Sequence, residues 1–165
     1  MDVNPRSTGA EPPLGIFSGR VDEKGRLKLP VDVQQFLGSW RDGDAAAATL
    51  FITCLDLESA RIYPISVWKR NQELMENDTD NPDAADDIAF MAKDLGGTCE
   101  MDGQGRVLIP ARTRELLKME SEQVFLDCYK GRVNVQTKEV YERRQERARQ
   151  NLTDKLRRLE QKGLK

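Results

Sequence analysis

One nine-residue pattern occurs twice in this chain, 80 positions apart: Asp22 to Pro30 reads DEKGRLKLP and Asp102 to Pro110 reads DGQGRVLIP. Four residue pairs are identical, namely Asp22 and Asp102, Gly25 and Gly105, Arg26 and Arg106, Pro30 and Pro110. Leu27 matches Val107 and Leu29 matches Ile109. The surroundings repeat as well. A strand-like run precedes each Asp, and a short helical pattern follows each Pro (Phe36-Leu37, then Leu116-Leu117). A strand pair comes next, Leu50 to Tyr63 in the first copy and Val124 to Val135 in the second. Repetition of both residues and element order predicts two β-β-α-β-β units of about 50 residues each. A unit of that size is too small to close its own sheet. The two copies are therefore expected to complete each other within the chain, as a pseudo-dimer. Only 38% of the 165 residues are hydrophobic, which thins each core and makes association with further copies an expectation too.

The organisation follows from composition and periodicity. Residues 1–13 hold three prolines and almost nothing apolar and read as a disordered leader. The first repeat with a trailing helix spans 14–76. It is predicted as strands at Ile16 to Val21 and Arg26 to Leu29, then a helix opened by Pro30 and stopped by Gly38. Val33, Phe36 and Leu37 share one face of that helix. A small-residue loop over Asp42 to Ala48, a strand pair (Leu50 to Leu55, Arg61 to Tyr63) and a helix from Ser66 to Met75 complete the repeat. Tyr63-Pro64 with Trp68 reads as a packed strand-to-helix corner. An acidic linker and a helix, Ala84 to Leu95, occupy 77–97, and the second repeat spans 98–137. From 138 to 165 the spacing of Tyr141, Ala148, Leu152, Leu156 and Leu159 predicts an amphipathic helix.

Several function classes are disfavoured. Histidine is absent, and with it the commonest general base and transition-metal ligand. No nucleophile elbow, phosphate-binding loop or dinucleotide fingerprint is present, so no enzyme, cofactor or metal site is expected. Asp86, Asp87 and Asp94 read as a solvated helix face, since no loop geometry gathers them around a cation. Cys54, Cys99 and Cys128 are odd in number and far apart, which suits free thiols in a reducing cytoplasm. No apolar run approaches a membrane span, and no signal peptide is visible.

Charge is more informative in its distribution than in its sum. The formal net charge is −2, yet Glu76 to Glu100 holds eight acids against one base, and Lys138 to Lys165 ten bases against five acids. The first turn gathers Arg20, Lys24, Arg26 and Lys28 within nine residues. An Arg can grip guanine bidentately or a phosphate with its planar fork, and Lys supplies a point charge. Asp22 is placed to orient Arg26, and Asp102 to orient Arg106. Gly25 and Gly105 supply the backbone freedom of each turn. Asp and Gly alone are ordinary turn residues, but turn geometry does not require an Arg at the same point twice. The pattern therefore predicts contact with double-stranded DNA through Arg20, Lys24, Arg26, Lys28, Arg106 and Arg112. The second turn has Gln104 and Leu108 where the first has Lys24 and Lys28, and Glu100 where the first has Arg20. The first repeat is accordingly expected to dominate.

Arg20 to Leu27, followed by Pro30, resembles the SpoVT-AbrB hairpin. Two tandem copies in one chain, with Thr98 to Pro110 and the Tyr63-Pro64…Trp68 ending, resemble the MraZ family over about Gly15 to Tyr141. The resemblance implies an α+β, mainly β fold. It would consist of two swapped-hairpin modules with a helical linker and a C-terminal helix. It further implies a cytoplasmic, nucleoid-associated bacterial transcriptional regulator forming ring-like homo-oligomers. Such proteins bind direct repeats in the promoter of the division and cell-wall gene cluster, and their DNA contacts fall on the positions of Lys24, Arg26 and Arg106. The chain departs from the family in a longer leader, a shorter first strand and Tyr141 where Trp is common. An antitoxin-like interaction module on the same hairpin fold is the competing reading. Such proteins usually carry one hairpin and a disordered tail.

Overall fold

The computed structural model of the chain describes residues 9–41 and 48–165. Most of the expected leader and nearly all of the expected small-residue loop lie outside the described residues. The described part of the fold is α+β, with antiparallel sheet at its centre. In the first repeat run β1 (Ile16–Arg20), β2 (Arg26–Lys28), α1 (Val31–Gly38), β3 (Thr49–Cys54), β4 (Ser59–Pro64) and α2 (Ile65–Glu76). A helix, α3 (Pro82–Leu95), leads to β5 (Gly97–Glu100), β6 (Arg106–Leu108), α4 (Ala111–Leu117), β7 (Gln123–Tyr129) and β8 (Arg132–Thr137). Two helices end the chain, α5 (Lys138–Arg149) and α6 (Leu152–Glu160).

Pairing crosses between the repeats. The large sheet has the order β1-β7-β8-β4-β3-β5. The first strand of repeat one thus lies on the hairpin of repeat two, from Ile16↔Asp127 to Arg20↔Gln123. The first strand of repeat two lies on the hairpin of repeat one, from Thr49↔Glu100 to Ile52↔Gly97. The two hairpins meet through β4 and β8. A second, two-stranded sheet joins β2 to β6. Neither repeat owns a complete sheet, and that is the physical consequence of units too short to cover one.

Alternation along the strands puts one face of each into a shared core. Leu27, Leu29, Val107 and Ile109 are buried with Val33, Phe36, Leu37, Leu50, Ile52 and Leu126 in one cluster drawn from both repeats. Each such side chain contributes about 1.5–3 kcal/mol of burial free energy. A second cluster lies under α2, where Trp68 stacks on Phe51 with ring centroids 4.6 Å apart and meets Tyr63 at 5.1 Å.

Several boundaries differ from expectation for local reasons. Pro30 caps α1 instead of opening its first turn, and Gly38 is the last helical residue, closed by Ser39. α3 starts two residues early, because Asn81 accepts from the backbone N–H of Ala84 and Pro82 suits the first position. The C-terminal helix is two helices. Asn151 takes a left-handed conformation, φ 55°, and turns α6 off the line of α5. Tyr141 stacks on Phe125, centroids 4.0 Å apart, which fixes α5 against β7.

Candidate functional site

Each Asp-x-x-Gly-Arg turn is a closed hydrogen-bonded unit. Asp22 Oδ1 accepts from the backbone N–H groups of Lys24 and Arg26, both at 2.9 Å. Its Oδ2 accepts from Arg26 Nε at 3.0 Å. The second turn repeats this geometry: Asp102 Oδ1 accepts from Gln104 and Arg106 N–H at 2.9 Å, and Oδ2 from Arg106 Nε at 2.8 Å. Gly25 (φ 84°) and Gly105 (φ 75°) occupy the left-handed region that the turn requires. The N–H of Arg26 holds the Asp22 carboxyl below its ordinary range, helped by the Arg26 side chain. The same donors, Arg106 N–H first, hold Asp102 at about 2. Both carboxylates stay ionised and keep their arginines aimed. Because the aspartates engage Nε, the outer edge of each guanidinium, with its two terminal nitrogens, makes no hydrogen bond among the described residues.

The two turns are not separate sites. The backbone N–H of Leu29 donates to Gly105 O at 2.9 Å, and that of Ile109 to Gly25 O at 3.0 Å. Between these bonds β2 and β6 pair as Arg26↔Leu108, Leu27↔Val107 and Lys28↔Arg106. Leu27 and Val107 point into the core. Arg26, Lys28, Arg106 and Leu108 therefore share the outer face of one short ribbon. Lys28, grouped with the first turn by sequence, stands beside Arg106, and its ammonium donates to the carbonyl of Gln104 in the second turn. The expected charge surplus of the first turn is smaller than its linear sequence implies.

Arg20 remains with the first turn. Its Nη1 donates to Ser121 O at 2.8 Å, and it lines a shallow cleft with Lys24 and Arg26. Arg112 is placed elsewhere: it pairs with Asp94 of α3 at 2.8 Å, outside the ribbon's bonding network. Beneath the turns lie two residues, Arg114 and Gln34, that sequence reasoning did not place there, Arg114 having been expected to add to the second repeat's DNA contact. Arg114 packs its guanidinium against Gly25, and Gln34 packs its amide against Gly105, each so close that a Cβ on the glycine would displace it. Arg114 and Gln34 are themselves 80 residues apart, so each repeat's helix braces the other repeat's turn. Periodicity alone could have paired them, but only the strand exchange brings them to these glycines. Arg41 joins Gln34 and Ser39 in the cleft flanking Asp102, the counterpart of the cleft beside Asp22.

The three thiols are unpaired, and burial pushes each upward, Cys128 to about 11. Among the described residues no helix is long and apolar enough to cross a membrane.

Comparison with known proteins points one way. A family model described as "MraZ protein, putative antitoxin-like" matches residues 96–162. A transcriptional regulator MraZ of Acidobacterium capsulatum is 37% identical over 111 residues, covering 67% of this chain and 72% of that protein. Its namesake from Koribacter versatilis is 33% identical over 66% of this chain and 71% of its own length. That of Caldanaerobacter subterraneus is 30% identical over 78% of this chain and 83% of its own length.

Proposed function

The chain belongs to the MraZ family, and we propose on that footing that it is a transcriptional regulator that reads DNA sequence through the β2–β6 ribbon. The observation that carries this reading is the shared outer face of Arg26, Lys28 and Arg106. A two-stranded ribbon is narrow enough to enter the major groove. The free outer edges of Arg26 and Arg106 match the O6/N7 pair of guanine, while Lys24, Lys28 and Arg20 suit the flanking phosphates. Since aspartate already fixes each arginine, less side-chain entropy is lost on binding. Arg112 is retained only as a peripheral phosphate contact, because Asp94 partly neutralises it.

A single ribbon reaches few bases and phosphates, so useful affinity calls for several copies on successive repeats. The reading therefore includes homo-oligomers, ring-like as the family resemblance implies. Its target is a set of promoter direct repeats upstream of the division and cell-wall gene cluster, and its location is the nucleoid in the cytoplasm. Footprinting on the region upstream of the protein's own gene tests it. Protection of regularly spaced short repeats is expected, and protection indifferent to sequence would overturn it.

A further inference from the structure

Among the described residues the last helix, α6, packs against no other element. Every residue from 146 to 165 is exposed. Leu152, Leu156 and Leu159 nevertheless form one stripe along α6, with 54, 46 and 53% of their surfaces exposed. Leu164 is bent back toward it by a hydrogen bond from its N–H to Leu159 O. A helix of nine residues is marginal in water on its own, and the left-handed Asn151 breaks it from α5. Lys155, Arg158 and Lys162 run down one border of the stripe.

A matching surface lies on α3. Its inner face is buried through Ala85, Ala92 and Leu95. On the opposite side Phe90 is 68% exposed. Asp83, Asp86 and Asp87 surround it within the preceding two turns, against one base, Lys93. An aromatic ring on an acidic helix face is complementary to a leucine stripe bordered by cations. Pairing α6 with α6 would instead crowd like charges, since residues 152–165 hold five bases and two acids.

We propose that α6 docks on the outer face of α3 in a second copy of this chain. The two surfaces differ, so the contact is heterologous and each copy offers one of each. Repetition then builds a closed ring or an open chain. The inference rests on the reading that copies assemble, and not on the reading that the ribbon binds DNA.

The test uses the full chain without DNA, sized by light scattering at micromolar concentration. Wild type is expected to exceed a monomer. L152S/L156S/L159S and, separately, D86K/D87K/F90S are expected to lose assembly at this interface while circular dichroism keeps its β signal, since all six side chains are exposed. Mixed in equal amounts, the two variants should form heterodimers and nothing larger, because one retains the α3 face and the other α6. A monomeric wild type overturns the proposal. So does a leucine variant of wild-type size, which is what docking within one chain predicts. Loss of assembly in the leucine variant but not in the Phe90 variant also overturns it, in favour of α6 pairing with itself. Arg26→Ala should keep wild-type size, so failure of the DNA reading remains separable.

Discussion

Lys28 of the first repeat sits directly opposite Arg106 of the second in the β2–β6 ribbon, and its ammonium bonds to the carbonyl of Gln104. Cations contributed by sequence segments 78 residues apart thus form one surface. In the proposed reading, this juxtaposition spreads the DNA-facing cations over both repeats.

Arg26→Ala should leave the fold intact and weaken specific DNA binding by about 1–3 kcal/mol per site. The side chain is partly exposed, and its only ion pair among the described residues is with Asp22. Fluorescence anisotropy on the promoter fragment measures the loss. Unchanged affinity with an unchanged circular dichroism spectrum would remove Arg26 from the reading surface.

Lys28→Ala should behave as a second-turn variant. In a double-mutant cycle it should couple to Arg106→Ala by roughly 0.5 kcal/mol or more, as neighbours do, and add simply with Lys24→Ala. Each phosphate that a variant leaves unneutralised should also lower the salt slope by about 0.9. The first turn should still contribute more, through Arg20 and Lys24, but by less than the linear sequence suggests. Strict additivity of Lys28 and Arg106 would show that the ribbon does not act as one surface.

Gly25→Ala should destabilise the fold by about 1–3 kcal/mol, because a positive φ is strained for an L side chain. The new methyl would also meet the guanidinium of Arg114. Adding Arg114→Ala should recover part of the loss and leave the backbone strain. Urea midpoints give both numbers, and a neutral Gly25→Ala would contradict the strained left-handed turn.

The two turns should weaken in acid. Asp102 has a folded value of about 2 against an ordinary 3.8. Its stabilising contribution is therefore complete above the ordinary value and lost as pH falls through the folded one. Between about pH 4 and 2, wild type should lose stability that Asp102→Asn has already lost, so their melting temperatures should converge. A carboxyl resonance of Asp102 titrating at its ordinary value would count against the hydrogen-bonded turn.

Alkylation should be slow. With Cys128 held at about 11 by burial, and Cys54 and Cys99 also raised, the folded chain presents little thiolate at neutral pH. Iodoacetamide should modify the thiols much faster in urea than in buffer. Equal rates would mean that the core is open.

Most of the local structure was legible in the sequence, since apolar spacing reports burial and Asp, Gly and Pro report turns. The helix face of Val33, Phe36 and Leu37 followed from a 3.6-residue period, and the aromatic corner of Tyr63 and Trp68 from its composition. The duplication itself was visible because identical residues recur at one offset. That the two copies complete each other was legible too, but the particular strand and side-chain partners were not. Residue spacing says which face of a strand is apolar, but not which strand lies beside it. Two half-sheets too small to stand alone must find their missing edges, and here each found them in the other repeat. That exchange set Lys28 against Arg106, Arg114 under Gly25 and Gln34 under Gly105. The break at Asn151 was equally hidden, because the basic residues and the helical spacing of Tyr141, Ala148 and Leu152 run on through it. Sequence alone therefore determined the repeated unit, its turns and its charged residues. Tertiary structure decided which charges share a surface, because long-range strand pairing is fixed by the burial of the whole core rather than by any local stretch of chain.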